Sequence, residues 1–173
     1  PVGLLLSHRA DWAIVSEVEQ NDDVLFKPLF SYEMVGICSK DHPLANKEVW
    51  QAEDFAEETW VTYPVPDDML DLYRQVLKPK GINPPRRTTE LTIALIQLVA
   101  SRRGIATVPY WAALPYLEKG YVVARKITEE GLYSNLYAAI RKEDANLAYI
   151  EDFHQTVKAQ SFSTLPGLSV LEL

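Results

Sequence analysis

The sequence predicts an α/β fold, built on one mixed sheet or on two small sheets. Short runs rich in β-branched and aromatic residues recur along the chain, and segments with apolar residues at helical spacing separate them. The length of 173 residues is enough for one domain or for two small lobes with modest cores. In such alternating folds, ligands bind at the C-terminal ends of strands and at the N-termini of helices.

The first part of the chain is dominated by predicted strands. Residues 2–6 are typical of the tail of a helix that ends at a polar turn. Pro43 enforces the turn at residues 40–43, because proline fixes φ and removes a backbone donor. Residues 51–56 predict a single helical turn. Four apolar or β-branched runs predict strands, at residues 11–16, 24–30, 33–39 and 59–63.

Two helices follow in the middle of the chain. Asp67 is a good N-cap for the first, in which Met69, Tyr73, Val76 and Leu77 fall near helical spacing. The second opens around residues 88–92, and Gly104 is expected to cap its C-terminus after two arginines.

The last part of the chain predicts three strands and a closing helix. Three runs predict the strands, at residues 105–108, 121–127 and 133–141. The helix spans roughly residues 146–160 and places four apolar side chains on one face, namely Leu147, Ile150, Phe153 and Val157. The tail after Phe162 is expected to be loosely held.

Charge and cysteine content restrict the classes of function. The chain has 17 basic and 24 acidic residues, a net charge of -7, so it is not expected to bind a polyanion such as DNA directly. Its single cysteine, Cys38, excludes a disulfide framework and favours a reducing cytoplasm. No apolar run is long enough for a membrane span, and no signal peptide is recognisable. Because the chain begins at Pro1, we expect it to be a fragment of a longer protein.

Catalytic and metal-binding patterns are not found in the sequence. His8, His42 and His154 stand on three separate elements, which favours two surface histidines and one on the flank of a helix. No P-loop, dinucleotide-binding or zinc-protease motif occurs. Cys38 lies within a predicted strand, so a buried structural role is favoured over a reactive one. We therefore expect no enzymatic activity, no cofactor and no metal.

Two predicted helix starts lie next to small hydroxyl side chains, at residues 62–68 and 89–92. The first amides of a helix have no intrahelical acceptor, so they suit the carboxylate of a small ligand. The alternative is plain capping, in which Asp67 and Thr89 satisfy their own helices. The presence of two such starts in one half of the chain favours a ligand pocket.

Several motifs resemble those of the LysR-type transcription regulators. Residues 98–109 are similar to the family motif in which a helix leads through a glycine into a strand. Residues 41–45 resemble the family's "HPLA" turn, and residues 9–14 resemble the segment that leads into an early strand of the family. Four stretches also resemble a subgroup that controls methionine biosynthesis and responds to homocysteine, at residues 62–65, 95–100, 104–111 and 130–141. The chain departs from the family pattern at Arg9-Ala10 and at Arg102, where glycine is usual.

The resemblance implies a periplasmic-binding-protein-like fold of type II, with two α/β lobes joined by crossing strands. Lobe I would comprise residues 1–60 and 136–173, and lobe II residues 61–135, with crossings near residues 60–62 and 136–138. The first strand and most of the first helix of lobe I would be missing, and so would the helix-turn-helix domain that binds DNA.

The resemblance further implies an interlobe site for an amino-acid-like effector, with homocysteine as the first candidate. Amides at residues 68–69 and 91–92 would hold the carboxylate, and Ser16, Thr62 or Glu90 would meet the amino group. The candidate effector-binding residues are Ser16, Thr62, Tyr63, Pro64, Val65, Asp68, Glu90, Leu91, Thr92, Pro109 and Tyr110.

The family also implies self-association as a dimer or tetramer, and contact with DNA only through the missing domain. A solute-binding protein of a transporter has the same architecture and is the main alternative. An enzyme on this scaffold comes third.

Overall fold

The computed structural model describes residues 1–171. The α-helices are α1 (Val2–Leu6), α2 (Thr92–Ala100), α3 (Tyr110–Glu118) and α4 (Ala148–Thr164). The strands are β1 (Trp12–Val15), β2 (Val24–Cys38), β3 (Val49–Trp50), β4 (Trp60–Thr62), β5 (Arg86–Thr88), β6 (Ile105–Pro109), β7 (Val123–Ile127), β8 (Leu132–Arg141) and β9 (Leu168–Ser169). No helix within the described residues is both long and apolar enough to cross a membrane.

The chain divides into two compact units, and both junctions fall inside long strands. The first unit comprises Pro1–Tyr32 and Ser134–Leu173, and the second comprises Glu33–Tyr133. The chain therefore passes between the units within β2 and again within β8. The expected lobe division after residues 60 and 135 stays a prediction about the family's architecture.

The first unit is built on antiparallel strand pairs. β1 pairs with β8 from Trp12↔Ile140 to Val15↔Tyr137, and β9 pairs with β2 at Ser31↔Ser169. The ring of Phe153 on α4 meets that of Trp12 edge-on, with centroids 5.2 Å apart. The core lies between α1 and these strands, around Val2, Leu5, Val24 and Ala139.

Arg141 ties the start of the first unit to its last strand. Its guanidinium donates to the carbonyl oxygens of Leu5 and Ala10, at 3.0 and 2.6 Å. It also pairs with Asp11 at 2.7 Å and with Asp144 at 2.5 Å. All three guanidinium nitrogens of this buried side chain therefore donate hydrogen bonds, as a buried charge requires.

The second unit has a mixed sheet with apolar clusters on both faces. β4 runs parallel to β5 and β6, whereas β2 is antiparallel to β6 and β7. α2 and α3 cover one face, where they bury Leu95, Ile96, Val99 and Ala113. The other face packs around six large side chains, Trp50, Phe55, Trp60, Leu77, Ile105 and Ile127.

The mixed α/β class and most predicted strands are confirmed, but several predicted boundaries are wrong. The predicted strands at residues 24–30 and 33–39 form a single strand, β2, which ends at Cys38, because the polar Ser31 between them does not interrupt its extended backbone. The nine-residue helix α3 was not predicted, since Pro115 lies inside it. The segment after Phe162 contains more regular structure than expected, because α4 extends to Thr164 and β9 follows at Leu168–Ser169.

Two predicted caps are also wrong. Asp67 does not cap a helix: it lies inside the 3₁₀ turn Asp67–Met69, whose N-cap is Pro66. The helical segment beyond it continues as the π-helical turn Tyr73–Leu77 and the 3₁₀ turn Lys78–Lys80. The C-cap of α2 is Ser101, not Gly104. Arg102 has φ of 59° and Gly104 has φ of 150°, so both positions have positive φ.

Candidate functional site

The candidate site lies at one edge of the sheet in the second unit. β5, β4 and β6 are parallel, with Thr62 opposite Thr88 and Val61 opposite Ala106, so their C-terminal ends share that edge. α2 begins shortly after β5, and α3 begins directly after β6. The N-termini of both helices therefore face the edge at which parallel α/β sheets bind ligands.

Tyr63 and Thr92 are joined across this edge. The Tyr63 hydroxyl lies 2.7 Å from Oγ1 of Thr92, and either oxygen can be the donor. Thr62, the last residue of β4, is buried, and its carbonyl oxygen accepts the Thr89 amide at 3.0 Å. The side chains that follow β4 are thereby tied to the start of α2.

The N-terminus of α2 is open to a ligand. Its N-cap is Leu91, which makes no side-chain capping hydrogen bond, so the alternative in which Thr89 caps this helix is wrong. The first amides of α2 have no acceptor within the helix, and the helix dipole places partial positive charge there. Leu91 and Ile93 are 63% and 56% exposed, so apolar side chains flank these amides.

The second predicted helix start does not offer the same donors. The Met69 amide donates to the carbonyl oxygen of Pro66 at 3.0 Å, so the expected carboxylate contact at residues 68–69 loses one of its two amides. The 3₁₀ turn is only three residues long and has no helix dipole to add. The Asp68 carboxylate is paired with Lys78 at 2.6 Å.

Tyr110 and Pro109 complete the edge. Pro109 ends β6 and is the N-cap of α3, and Tyr110 is the first residue of that helix. Tyr110 and Tyr63 both pack against the same buried cluster, which includes Val61 and Val108. The two phenol rings therefore border one region of the sheet edge.

The remaining predicted site residues are more scattered. Pro64 and Val65 are exposed and follow Tyr63, and Glu90 is exposed immediately before α2. Ser16 is exposed and belongs to the first unit, whereas the ten other predicted residues belong to the second.

Other groups with catalytic potential are held in unreactive settings. Cys38 is fully buried, and burial raises the pKa of its thiol to about 11, so it is protonated at neutral pH. Within residues 1–171, no cluster of histidine, cysteine and acidic side chains could hold a metal ion.

Two of the three histidines are more buried than predicted, His42 at the surface and His154 on the flank of a helix. His42 is half-buried: its Nδ1 accepts the Leu44 amide, and its Nε2 lies 3.2 Å from a Glu58 oxygen. His154 is 4% exposed, more deeply buried than a position on the flank of a helix implies.

One residue beside the site was not predicted from the sequence. Arg86 pairs with Asp67, and its guanidinium carbon lies 4.8 Å from the ring centroid of Trp60. In the sequence Arg86 forms only a small basic pair with Arg87. Its role depends on which strands are neighbours, and no local pattern reveals that.

The sequence profile of the LysR substrate binding domain matches residues 1–161. The HTH-type transcriptional regulator MetR of Haemophilus influenzae is 85% identical over all 173 residues, which cover 56% of that protein. MetR of Escherichia coli is 34% identical over 99% of this chain and 54% of its own length. The chain thus spans about half the length of these relatives, which are transcriptional regulators and not enzymes.

Solved structures agree with the sequence comparison. The regulatory domain of MetR from Neisseria meningitidis superposes with a TM-score of 0.92 at 66% identity, over 99% of this chain and 80% of that one. The effector-binding domain of QuiR in complex with shikimate has a TM-score of 0.75 at 23% identity. The match covers 92% of this chain and 77% of the QuiR domain chain. The first match confirms the predicted subgroup, and both confirm the periplasmic-binding-protein-like fold.

Proposed function

The chain belongs to the LysR substrate binding domain family, and on that premise we propose that it senses a small amino acid, homocysteine first among them. The observation that carries the proposal is the open N-terminus of α2, with the Tyr63–Thr92 pair beside it. Resemblance to the methionine-biosynthesis subgroup, and relatives named MetR, support homocysteine as the ligand.

The ligand's carboxylate is assigned to the start of α2. The amides after Leu91 and the Thr92 hydroxyl offer donors at the positive end of the helix dipole. Since the chain carries a net charge of -7, such local donors are needed to attract an anionic group.

The ammonium group and the side chain of the ligand are assigned to neighbouring groups. The exposed carboxylate of Glu90 precedes the same helix and suits a cation, and the Thr62 carbonyl region lies at the strand end beside it. Tyr63, Pro109 and Tyr110 provide an apolar wall for a thiol-bearing chain, with Pro64, Val65 and Asp68 along its rim. The contact of Ser16 with the ammonium group stays a prediction.

In the whole regulator, effector binding would alter the relative populations of two conformations and thereby the spacing of DNA-binding arms in a dimer or tetramer. The DNA-binding arms would lie outside this chain, and the acidic domain would act only as the sensor in the cytoplasm.

Isothermal titration calorimetry of this chain with L-homocysteine and L-methionine, under a reducing agent that keeps the thiol free, tests the proposal. Saturable heat with homocysteine is expected. Thr92→Val, which removes only the hydroxyl, should weaken binding about fivefold, as expected for one lost hydrogen bond. Thr156→Val, at an exposed position on α4, is the matched control. No heat with either amino acid would overturn the proposal.

A further inference from the structure

The Arg86 side chain is held by aromatic rings on two different elements. Its guanidinium carbon lies 4.8 Å from the ring centroid of Trp60 and 5.3 Å from that of Tyr73. Trp60 is its register partner on β4 and is almost fully buried, and Tyr73 lies in the helical segment after the Asp67–Met69 turn. A cation stacked on aromatic faces keeps a defined direction and loses little entropy when it forms an ion pair.

This guanidinium pairs with Asp67, which belongs to the segment between the candidate site and the next helix. The Arg86 side chain is 25% exposed and that of Asp67 is 50% exposed, so solvent screens this pair in part. The neighbouring pair, Lys78–Asp68, is 55% and 68% exposed and is expected to contribute little. Arg86 is therefore the principal side-chain tether of residues 64–69.

The tethered segment leads directly away from Tyr63. Its backbone is bent by local hydrogen bonds, from the Val65 amide to the Tyr63 carbonyl at 2.9 Å and from the Leu70 amide to the Asp67 carbonyl at 2.9 Å. These bonds shape the segment but do not attach it to the sheet. The Asp67–Arg86 pair does attach it, because Arg86 is the first residue of β5.

We propose that Arg86 is a positioning residue for the effector: it anchors residues 64–69 so that the Tyr63 hydroxyl stays directed at Thr92. It also neutralises Asp67, whose free carboxylate would repel the ligand's carboxylate. The inference rests on the proposed function for its binding consequence, whereas the anchoring itself does not depend on any ligand.

Hydrogen–deuterium exchange of the peptide covering residues 64–70, measured without ligand, tests the anchoring. Arg86→Gln should speed exchange of the Met69 and Leu70 amides about tenfold, and Arg86→Lys by less because the charge is kept. Arg87→Gln is the matched control, since Arg87 is the next residue of β5 and is exposed. Unchanged exchange in a folded Arg86→Gln protein would overturn the anchoring.

Titration of the same variants with homocysteine tests the consequence for binding. Arg86→Gln should weaken binding about fivefold. Adding Asp67→Asn should cause no further loss, because Arg86 acts through Asp67, and should recover the part of the loss that comes from repulsion by the free carboxylate. Faster exchange with unchanged affinity would overturn the positioning role. If the unaltered chain binds no sulfur amino acid, the proposed function and this positioning role both fail, while the exchange experiment still decides the anchoring.

Discussion

The Tyr63 hydroxyl and Oγ1 of Thr92 lie 2.7 Å apart, and this hydrogen bond joins the end of β4 to the first residue of α2. The two residues are 29 positions apart in sequence, and both are only partly buried. A polar bond at the open end of a sheet, beside unpaired helix amides, provides donors for a ligand and also stabilises the fold.

Tyr63→Phe and Thr92→Val should each reduce the free energy of unfolding by about 0.5–1.5 kcal/mol, because each removes one hydrogen bond. The double variant should lose no more than about the larger single effect, since the two hydroxyls depend on one another. Urea denaturation measures both quantities, with Tyr121→Phe at an exposed position as the control. Strictly additive losses would show that the two hydroxyls do not interact.

Gly104→Ala should destabilise the protein by more than about 2 kcal/mol through overpacking and strain. A Cβ at this position would lie 2.2 Å from the carbonyl oxygen of Thr59, which also accepts the Ile105 amide. Gly81→Ala separates crowding from backbone strain, because Gly81 also has positive φ but has open space around it. Equal loss of stability in the two variants, measured by urea denaturation, would contradict the crowding argument.

Arg102→Gly should stabilise the protein by about 0.5–1 kcal/mol. Arg102 has φ of 59°, a left-handed conformation that costs about 1–2 kcal/mol for a residue with a Cβ. Glycine relieves that strain, but part of the stabilisation is lost because glycine raises the conformational entropy of the unfolded chain. Arg103→Gly, at the exposed neighbouring position, should not stabilise the protein. Thermal unfolding of both variants measures the effect. A lower melting temperature for Arg102→Gly than for the parent chain would contradict the strain argument.

His154 should make stability depend on pH in mildly acidic solution. Burial lowers the pKa of this imidazole, nearby Lys27 and Lys158 lower it further, and Glu151 opposes them. The folded protein therefore keeps the ring neutral while the unfolded chain takes up a proton at its ordinary pKa of about 6.5. The contribution of His154 to the free energy of unfolding is therefore fully present above a pH of about 6.5, and it is lost as the pH falls through the folded-state pKa.

Unfolding curves of His154→Gln between pH 5 and 7 measure this contribution. The variant should show a flatter dependence of the unfolding free energy on pH than the parent chain. His8→Gln, at an exposed position, is the control for the loss of an imidazole. An unaltered slope in His154→Gln would show that another group is responsible.

Much of the fold could be predicted because it depends on local patterns. The apolar runs at β1, β4 and β6 identify strands by themselves, and the apolar face of α2 identifies a helix. The caps could not be predicted in this way. Gly104 resembles a C-cap in sequence, but the structure requires glycine there because the carbonyl oxygen of Thr59, the residue before β4, approaches it.

The candidate site stays a prediction. Hydroxyl side chains near strand ends and helix starts indicated residues 62–68 and 89–92, and the structure brings Tyr63 and Thr92 of these together. The role of Arg86 could not be predicted, because it depends on the register between β4 and β5. The Met69 amide was expected to be free, but the chain forms a 3₁₀ turn there, which uses it internally.

A heteronuclear NMR titration of the ¹⁵N-labelled chain with L-homocysteine detects binding and locates it in one experiment. Binding at this sheet edge should give saturable shifts of the amide signals of Tyr63, of Thr92 and Ile93 at the start of α2, and of Tyr110. A titration without shifts, or with shifts confined to residues away from this sheet edge, such as Arg102 and Arg103 beyond the C-terminal end of α2, would contradict this.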